Sequence, residues 1–373
     1  VSFMLASKTQ IRTDLRILLL IAGMLTIIGL IFIYSSSSVY AMEKCGSSYY
    51  FALKQGIGLI LGLAALAFGR LLPFEFIKKC SPAFFFGSLG LTAMTMLPGI
   101  SQRIHGSSRW LNIGGFGFQP SELLKISLVL YLAYFLEKRA HQNSSLTHTY
   151  VPLLVILGAT CVVLLKQPDF GLTVTLFITA LAMLFIAQLQ LKHIFIALIT
   201  IIPAAIALVL YKPYRLKRIL TFWDPWSDPQ GAGFQIIQSL IAIGSGNFWG
   251  VGISQSKQKF FYLPMQHTDF IFSIIAEEVG FIGSSFIVLL FVLFLYFGIK
   301  IVWRLKDIYS MLAAFGFITL ISLQAVINLA VVTGMAPTKG IGLPFISYGN
   351  TALICSMAML GLIMNMVHSD VTH

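Results

Sequence analysis

Apolar residues fall in ten runs along the chain, at about 15–35, 51–69, 82–98, 120–136, 150–165, 170–188, 193–211, 270–299, 308–333 and 344–366. Charges, Pro or Gly bound each run. A helix needs about 20 apolar residues to cross a hydrocarbon core of about 30 Å, so the pattern predicts ten transmembrane spans with both termini on one side. The first run follows Lys8, Arg12 and Arg16 and ends in four serines without a small-residue cleavage pattern. It reads as a first span rather than a signal peptide.

The boundary hardest to place is LKQPDFG (165–171). Pro168 cannot continue a helix and Gly171 loosens the next turn, which predicts a tight turn between spans five and six. One kinked helix there would invert everything that follows. Residues 212–268 form the one long connection, between spans seven and eight. Within it, FQIIQSLIAI (234–243) places Phe234, Ile237 and Ile241 on one helical face and Gln235, Gln238 and Ser239 elsewhere, as in a helix lying in the membrane interface. No repeat with a period of about 20–50 residues is present, so a repeat-built transporter gets no support. The expected fold is an all-α integral membrane protein: a single polytopic domain over 1–373 with about ten transmembrane helices and one long extracytoplasmic loop.

Composition agrees, with 57% hydrophobic and only 10% charged residues where a soluble domain carries roughly 25% charged. A net charge of +12 would suggest nucleic acid in a soluble protein; here the charges sort by loop, and no nucleic-acid partner is expected. With the N-terminus in the cytoplasm, Lys8, Arg12, Arg16, Arg70, Lys78, Lys79, Lys138, Arg139, Lys192, Lys300, Arg304 and Lys306 all lie inside, as the positive-inside rule requires. The long loop nevertheless carries Lys212, Arg215, Lys217, Arg218, Lys257 and Lys259 on the outer side. Long loops translocate regardless of charge, so the topology stands and the basic surplus asks for a ligand. Cys45, Cys80, Cys161 and Cys355 lie far apart without Cys-x-x-Cys spacing, and no metal–thiolate site is expected.

Ionisable groups in lipid are functional candidates by default. Asp269, at the end of the long loop, either caps span eight or is a carboxylate at the outer surface placed to take a proton. Glu122 and Lys125 are three apart and can neutralise each other; Glu122 also suits a helix start after Pro120. Glu277 and Glu278 lie at about 80° and 180° from Asp269 at about 100° per residue, so the three cannot share a cavity, and one is expected to pair with a cation from another helix. Arg109, beside Trp110, is an interfacial anchor or an anion contact. Arg215, Lys217 and Arg218 are a stronger anion signal, suited to a diphosphate. Gly244, Gly246, Gly250 and Gly252 lack phosphate-loop spacing and read as a flexible loop. DPWSDP (224–229) reads as turns, with a paired-carboxylate metal site as the lesser alternative. Gly334, Pro337, Gly340, Gly342 and Pro344 interrupt the chain around Lys339, as an outer turn or as a broken segment lining a cavity.

Together, RWLNIG (109–114), QPSELLK (119–125), YRLKRILTFWDPWSDPQGAGFQIIQSL (214–240), YLPMQHTDFIFSIIAEE (262–278) and APTKGIGLPFISYG (336–349) resemble the SEDS family of bacterial cell-wall proteins, over nearly the whole chain and in the same order. KFFYLP (259–264) and DPWSDP look more like its FtsW branch than its RodA branch. The resemblance implies a ten-span glycosyltransferase that polymerises lipid II on the outer face of the cytoplasmic membrane. It also implies a class B penicillin-binding protein and other division proteins as partners. Asp269 matches the family's essential acidic position; Arg109, Lys125 and Arg215 to Arg218 match other polar positions. Two departures stand out: Met265 where the family usually has Glu, and Asn350, Thr351 and Ala352 where it has glycine followed by small hydroxyl residues. The first puts in doubt any mechanism that needs a second carboxylate just before Asp269.

The chemistry needs a base for the attacking hydroxyl and cations for the departing diphosphate. Asp269 supplies the first, and Arg109, Lys125, Arg215, Lys217, Arg218 and Lys339 are candidates for the second. An unperturbed Asp, with pKa about 3.9, is a weak base, so either desolvation or a Mg2+ or Mn2+ ion on Asp269 is expected to share the work. The rival readings are a lipid II flippase using the same polar residues as a path, and an elongation rather than a septal polymerase.

Overall fold

The computed structural model describes residues 2–97, 101–104, 107–113, 116–139, 151–188, 220–231, 233–260, 263–264 and 266–372. Its helices are α1 (Ser2–Cys45), α2 (Tyr50–Leu71), α3 (Phe74–Met94), α4 (Pro120–Arg139), α5 (Val151–Lys166), α6 (Phe170–Ile186), α7 (Phe234–Ser245), α8 (Ile271–Val302), α9 (Ile308–Val332) and α10 (Asn350–Thr372). Five of them, α1, α2, α8, α9 and α10, are long and apolar enough to cross a membrane; α5 and α6 are shorter apolar helices. All predicted spans except the seventh meet a helix; residues 193–211 lie outside the described residues.

Local chemistry sets the boundaries. Pro73 follows α2, and Leu72 before it is extended (φ −60°, ψ 140°), as a residue preceding proline prefers. Pro73 then stands at the start of α3. Asp169 ends the turn after α5 and accepts the Leu172 N–H at 3.2 Å, capping α6. The expected tight turn at 166–169 is therefore present. Asp307 caps α9 through the Ser310 N–H at 2.8 Å.

One end of the bundle is basic. Lys78 at the start of α3 meets Glu137 at the end of α4 at 2.6 Å. Asp14 near the start of α1 takes Arg304 and, at 3.3 Å, Lys300 from the end of α8. Asp370 in the last turn of α10 accepts the N–H groups of Lys306 and Asp307 at 3.0 and 3.1 Å. Beside them, Asn365 donates to the carbonyls of Gly69, Arg70 and Leu72. The start of α1 and the end of α10 thus share the face that the charge pattern predicted.

Two glycine contacts shape the interior. Along α2 and α10, a Cβ at Gly58, Gly62 or Gly69 would press on Asn350, Met357 or the Ala358 backbone, and one at Gly361 would overlap the Leu66 carbonyl. Small residues let the two backbones approach, as in small-xxx-small membrane seams. The second contact is in α8, which kinks at Gly280 (φ 68°, ψ −167°). There the 246–252 segment docks against the helix: Phe281 and Ile282 N–H donate to the Asn247 and Phe248 carbonyls, and Val251 and Gly252 N–H donate to the Glu277 and Glu278 carbonyls. Gly246 and Gly250 admit no side chain here, because a Cβ would overlap the Ala276 or Glu278 carbonyl. This corrects the flexible-loop reading of these glycines: their function is close backbone packing.

Two further differences from the sequence expectation concern the long connections. A three-stranded antiparallel meander, β1 (Ser101–Ile104), β2 (Ser107–Ile113) and β3 (Phe116–Phe118), fills the link between α3 and α4; strands this short were hidden between two strongly apolar runs. In α7 the buried arc is Ile236, Ile237, Ser239 and Ala242, not Phe234, Ile237 and Ile241. Ser239 turns inward because its hydroxyl finds two partners, the Ser273 hydroxyl at 2.7 Å and the Val332 carbonyl at 2.6 Å. DPWSDP does form a turn: Asp224 accepts the Trp226 N–H at 3.1 Å at the head of one 3-10 turn, Pro225–Ser227.

Candidate active site

The site lies at the end of the bundle opposite the basic face. There α1, α4 and α10 present the ends remote from those charges, α5 turns into α6, and the long connection enters α8. Asp269 sits in the turn before α8, partly exposed. The first position flanking the helix is Phe270, with no side-chain cap bond, so the geometry gives no support to Asp269 as the cap of α8.

Three consecutive carbonyls hold this turn. The His267 carbonyl accepts the Tyr348 N–H at 2.9 Å, the Thr268 carbonyl accepts the Ser347 hydroxyl at 2.6 Å, and the Asp269 carbonyl accepts the Asn328 amide at 2.7 Å. Asn328, on α9 and 1% exposed, also donates to the Ile341 carbonyl at 2.7 Å. Gln55 of α2 pins the far end of the same segment, accepting the Gly349 N–H at 3.1 Å. Residues 336–349 are therefore a broken stretch of backbone whose polar groups are satisfied by protein, the condition for such backbone at membrane depth. The segment is thus held by protein and is not a free outer turn.

That clamp brings the 339–341 backbone against the Asp269 turn. At Gly340 a Cβ would lie 3.5 Å from Asp269 Oδ2, so this backbone passes directly against the carboxylate. Lys339, next in the chain, places its Nζ 5.5 Å from the Phe170 ring centre, and burial lowers its pKa from the ordinary lysine value. Ile341 and Lys339 pack over Gly171. Arg109, on β2, reaches the same α5–α6 turn: it donates to the Gln167 carbonyl at 3.1 Å and the Pro168 carbonyl at 2.5 Å, and pairs with Asp169 at 3.5 Å. Arg109, Asp169, Phe170, Lys339 and Asp269 thus follow one another across a single face.

The remaining candidates sit elsewhere. Lys125, 2% exposed, is paired with Glu122 at 2.5 Å inside α4, the mutual neutralisation that their spacing allows. Arg215, Lys217 and Arg218 lie outside the described residues, as does Met265. Glu277 and Glu278 face different partners, as their helical angles required. Glu277 accepts the Ser256 hydroxyl and the Lys257 N–H at 2.9 Å. Glu278 accepts the Ser35 hydroxyl at 2.7 Å and pairs with Lys259 at 3.6 Å. The cation expected from another helix comes from the loop instead, and Lys259, 3% exposed, is withdrawn from the outward-facing basic set.

His267 was not singled out in the sequence. Its ring packs on Tyr40, Phe51 and Tyr348, with centroids 5.6, 4.5 and 5.7 Å away, and burial drops its pKa to about 4. It is a neutral imidazole at physiological pH. Burial also pushes the Tyr348 phenol to about 12. Of the two family departures, Thr351 bridges the Gln119 N–H and the Gly117 carbonyl at 3.3 and 3.2 Å, and Asn350 faces Gly58 in the α2–α10 seam; both are structural contacts. Asn328 and Gln55 carried no signal in the sequence, since each is an uncharged polar residue among several polar residues of a largely apolar helix.

The architecture defines a many-pass helical membrane protein whose polar site is assembled at one face from a broken segment and a long connection. The chain belongs to the FtsW/RodA/SpoVE family: the family's model, described as "Cell cycle protein", matches residues 15–371. A probable peptidoglycan glycosyltransferase FtsW of Geobacter sp. (strain M18) is 41% identical over 349 residues, 94% of this chain and 95% of that one. Stage V sporulation protein E of Bacillus subtilis (strain 168) is 39% identical over 350 residues, 94% and 95% of the two chains. Among solved structures, a chain from work on structural coordination of polymerization and crosslinking by a peptidoglycan synthase complex matches with a TM-score of 0.78 and 28% identity, over 95% of this chain and 97% of that one.

Proposed function

We propose that this chain polymerises lipid II, a disaccharide peptide carried on undecaprenyl diphosphate, into peptidoglycan glycan strands at the outer face of the bacterial cytoplasmic membrane. The observation that carries the reading is Asp269, its turn fixed by three backbone anchors and its carboxylate against Gly340 of the segment that carries Lys339, on the face opposite the basic ends. Glycosyl transfer needs a base on the attacking hydroxyl and positive charge at the leaving oxygen. Asp269 takes the proton as the sugar hydroxyl attacks the anomeric carbon; the bond to the diphosphate breaks, and the leaving group departs toward Lys339, with the carbon inverted through an oxocarbenium-like state. Arg109 orders the α5–α6 turn against which Lys339 packs, and Lys125 keeps α4 neutral inside. Arg215, Lys217 and Arg218 remain candidates for the diphosphate by their charge.

Among the described residues no three His, Cys, Asp or Glu side chains converge on a metal position. With Asp169 paired to Arg109 and capping α6, Asp269 is the carboxylate left to serve as a donor at this face, which suits an ion shared between Asp269 and the substrate diphosphate, the way Mg2+ commonly binds. Mg2+ or Mn2+ held there would neutralise charge on the leaving group.

The cluster of basic residues at the end that carries both termini supports, through the positive-inside rule, both termini in the cytoplasm. The relatives named glycosyltransferases support the reaction, and the synthase-complex neighbour supports a class B penicillin-binding protein as partner beside other division proteins. The FtsW names favour septal synthesis over elongation. The test is purified protein with its penicillin-binding partner and lipid II in detergent, with products resolved on a gel. Long strands are expected from the wild type and none from Asp269→Asn. Full polymerisation by that variant would end the base assignment, and lipid II translocation in vesicles without strands would favour a flippase.

A further inference from the structure

The geometry points to residues 248–253 as a wedge seated in the lipid of the leaflet beside the site, in contact with phospholipid acyl chains rather than projecting into water. Three independent features converge on this segment. The thirteen residues 244–256 contain no Asp, Glu, Lys, Arg or His, although they lie within the most basic connection of the chain. Its large apolar side chains point outward: Phe248, Trp249 and Ile253 are 67%, 82% and 61% exposed. Burying them in a lipid phase is favourable by roughly 25 cal/mol per Å2, whereas in water they form a bare apolar patch.

The second feature is continuity. Phe248 stacks edge-on against Phe281, with centroids 6.0 Å apart, and Phe281, Ile282 and Phe286 are exposed on the outer side of α8. That side belongs to a spanning helix, so the patch extends a surface already committed to lipid. Trp at the junction is the side chain that membrane interfaces favour.

The third feature is backbone chemistry. Non-helical backbone is tolerated at membrane depth only where its polar groups are satisfied by protein. Here the segment and the α8 kink satisfy each other: the carbonyls of Asn247 and Phe248 accept the N–H groups of Phe281 and Ile282, and the N–H groups of Val251 and Gly252 donate to the carbonyls of Glu277 and Glu278. Behind this layer the charges are closed off from lipid, with Lys259 and Ser35 on Glu278 and Ser256 on Glu277. An aqueous loop would need none of this matching.

The experiment is tryptophan quenching in vesicles of phosphatidylglycerol and phosphatidylethanolamine whose acyl chains are brominated. Wild-type and Trp249→Phe proteins are compared, with aqueous iodide as the opposing quencher. The difference signal, which isolates Trp249, is expected to fall at least twofold with brominated lipid and to change little with iodide. Trp223→Phe, measured in the same way, checks that the difference method resolves a single tryptophan. Strong iodide quenching of Trp249 without bromine quenching overturns the proposal and makes the segment a water-exposed loop. Protection from both quenchers also overturns it and makes the patch a protein-binding face.

Discussion

Asn328 is the residue whose loss tests the arrangement of the site most directly. One amide nitrogen donates to the carbonyls of Asp269 and Ile341, each at 2.7 Å, and so joins the proposed base to the segment that carries Lys339. Asn328→Leu keeps much of the volume and removes the donor. Two carbonyls lose a partner, at about 1–3 kcal/mol each, and the turn can relieve that cost by moving away from α9. A displacement near 1 Å at a reacting group costs up to about 100-fold in rate. The variant is therefore expected to lower kcat for lipid II polymerisation by about 10- to 100-fold, with a smaller rise in KM because the segment that carries Lys339 loses the same anchor. The assay is the initial rate of strand formation by purified protein with its partner, alongside thermal unfolding in the same detergent. Wild-type kcat in Asn328→Leu, with Asp269→Asn inactive, would refute the clamp while leaving the base intact. Loss of kcat and of cooperative unfolding together would show that Asn328 serves folding alone.

Other outcomes follow from the same contacts. His267, with a folded pKa of about 4 against an ordinary value of about 6.5, binds fewer protons folded than unfolded between those two values; stability therefore rises with pH across that window, by about 3 kcal/mol in all, and His267→Phe should flatten the rise in unfolding measured from pH 4 to 7. Lys259→Met leaves Glu278 unpaired at full burial and should cost about 3–5 kcal/mol, seen as a lower Tm, whereas Lys259→Met with Glu278→Gln should recover much of it. Gly361→Ala forces a methyl onto the Leu66 carbonyl and should destabilise by about 1–3 kcal/mol; an unchanged Tm would mean that the seam yields easily.

The spans were legible because lipid demands long apolar runs, and so were the 166–169 turn and the sharing of one end of the bundle by the start of α1 and the end of α10. Asp269, Lys339 and Arg109 were legible as types, a carboxylate and cations at a membrane surface. What joins them was not. Asn328 is one of several uncharged polar residues in a largely apolar helix, and Ser347 and Tyr348 act through a hydroxyl and a backbone N–H that no pattern distinguishes. The glycines of 246–250 misled for a related reason: spacing reports whether backbone is free to bend, not whether another backbone lies against it. One of the acidic residues was expected to meet a cation from another helix, and Glu278 met Lys259 from the loop, because a loop that re-enters the bundle leaves the same hydropathy trace as one that does not.

The α2–α10 seam has a mechanical consequence. Gly69 and Gly361 bring the two helices into backbone contact, the Asn350 and Met357 side chains press close over Gly58 and Gly62, and Asn365 bolts the basic end of the pair with three hydrogen bonds. The two helices behave as one beam, with Gln55 gripping the broken segment at its other end. A lateral door for a lipid-borne substrate cannot open along that beam; it has to open at a helix pair held by larger, more deformable side chains, with the beam as its fixed jamb.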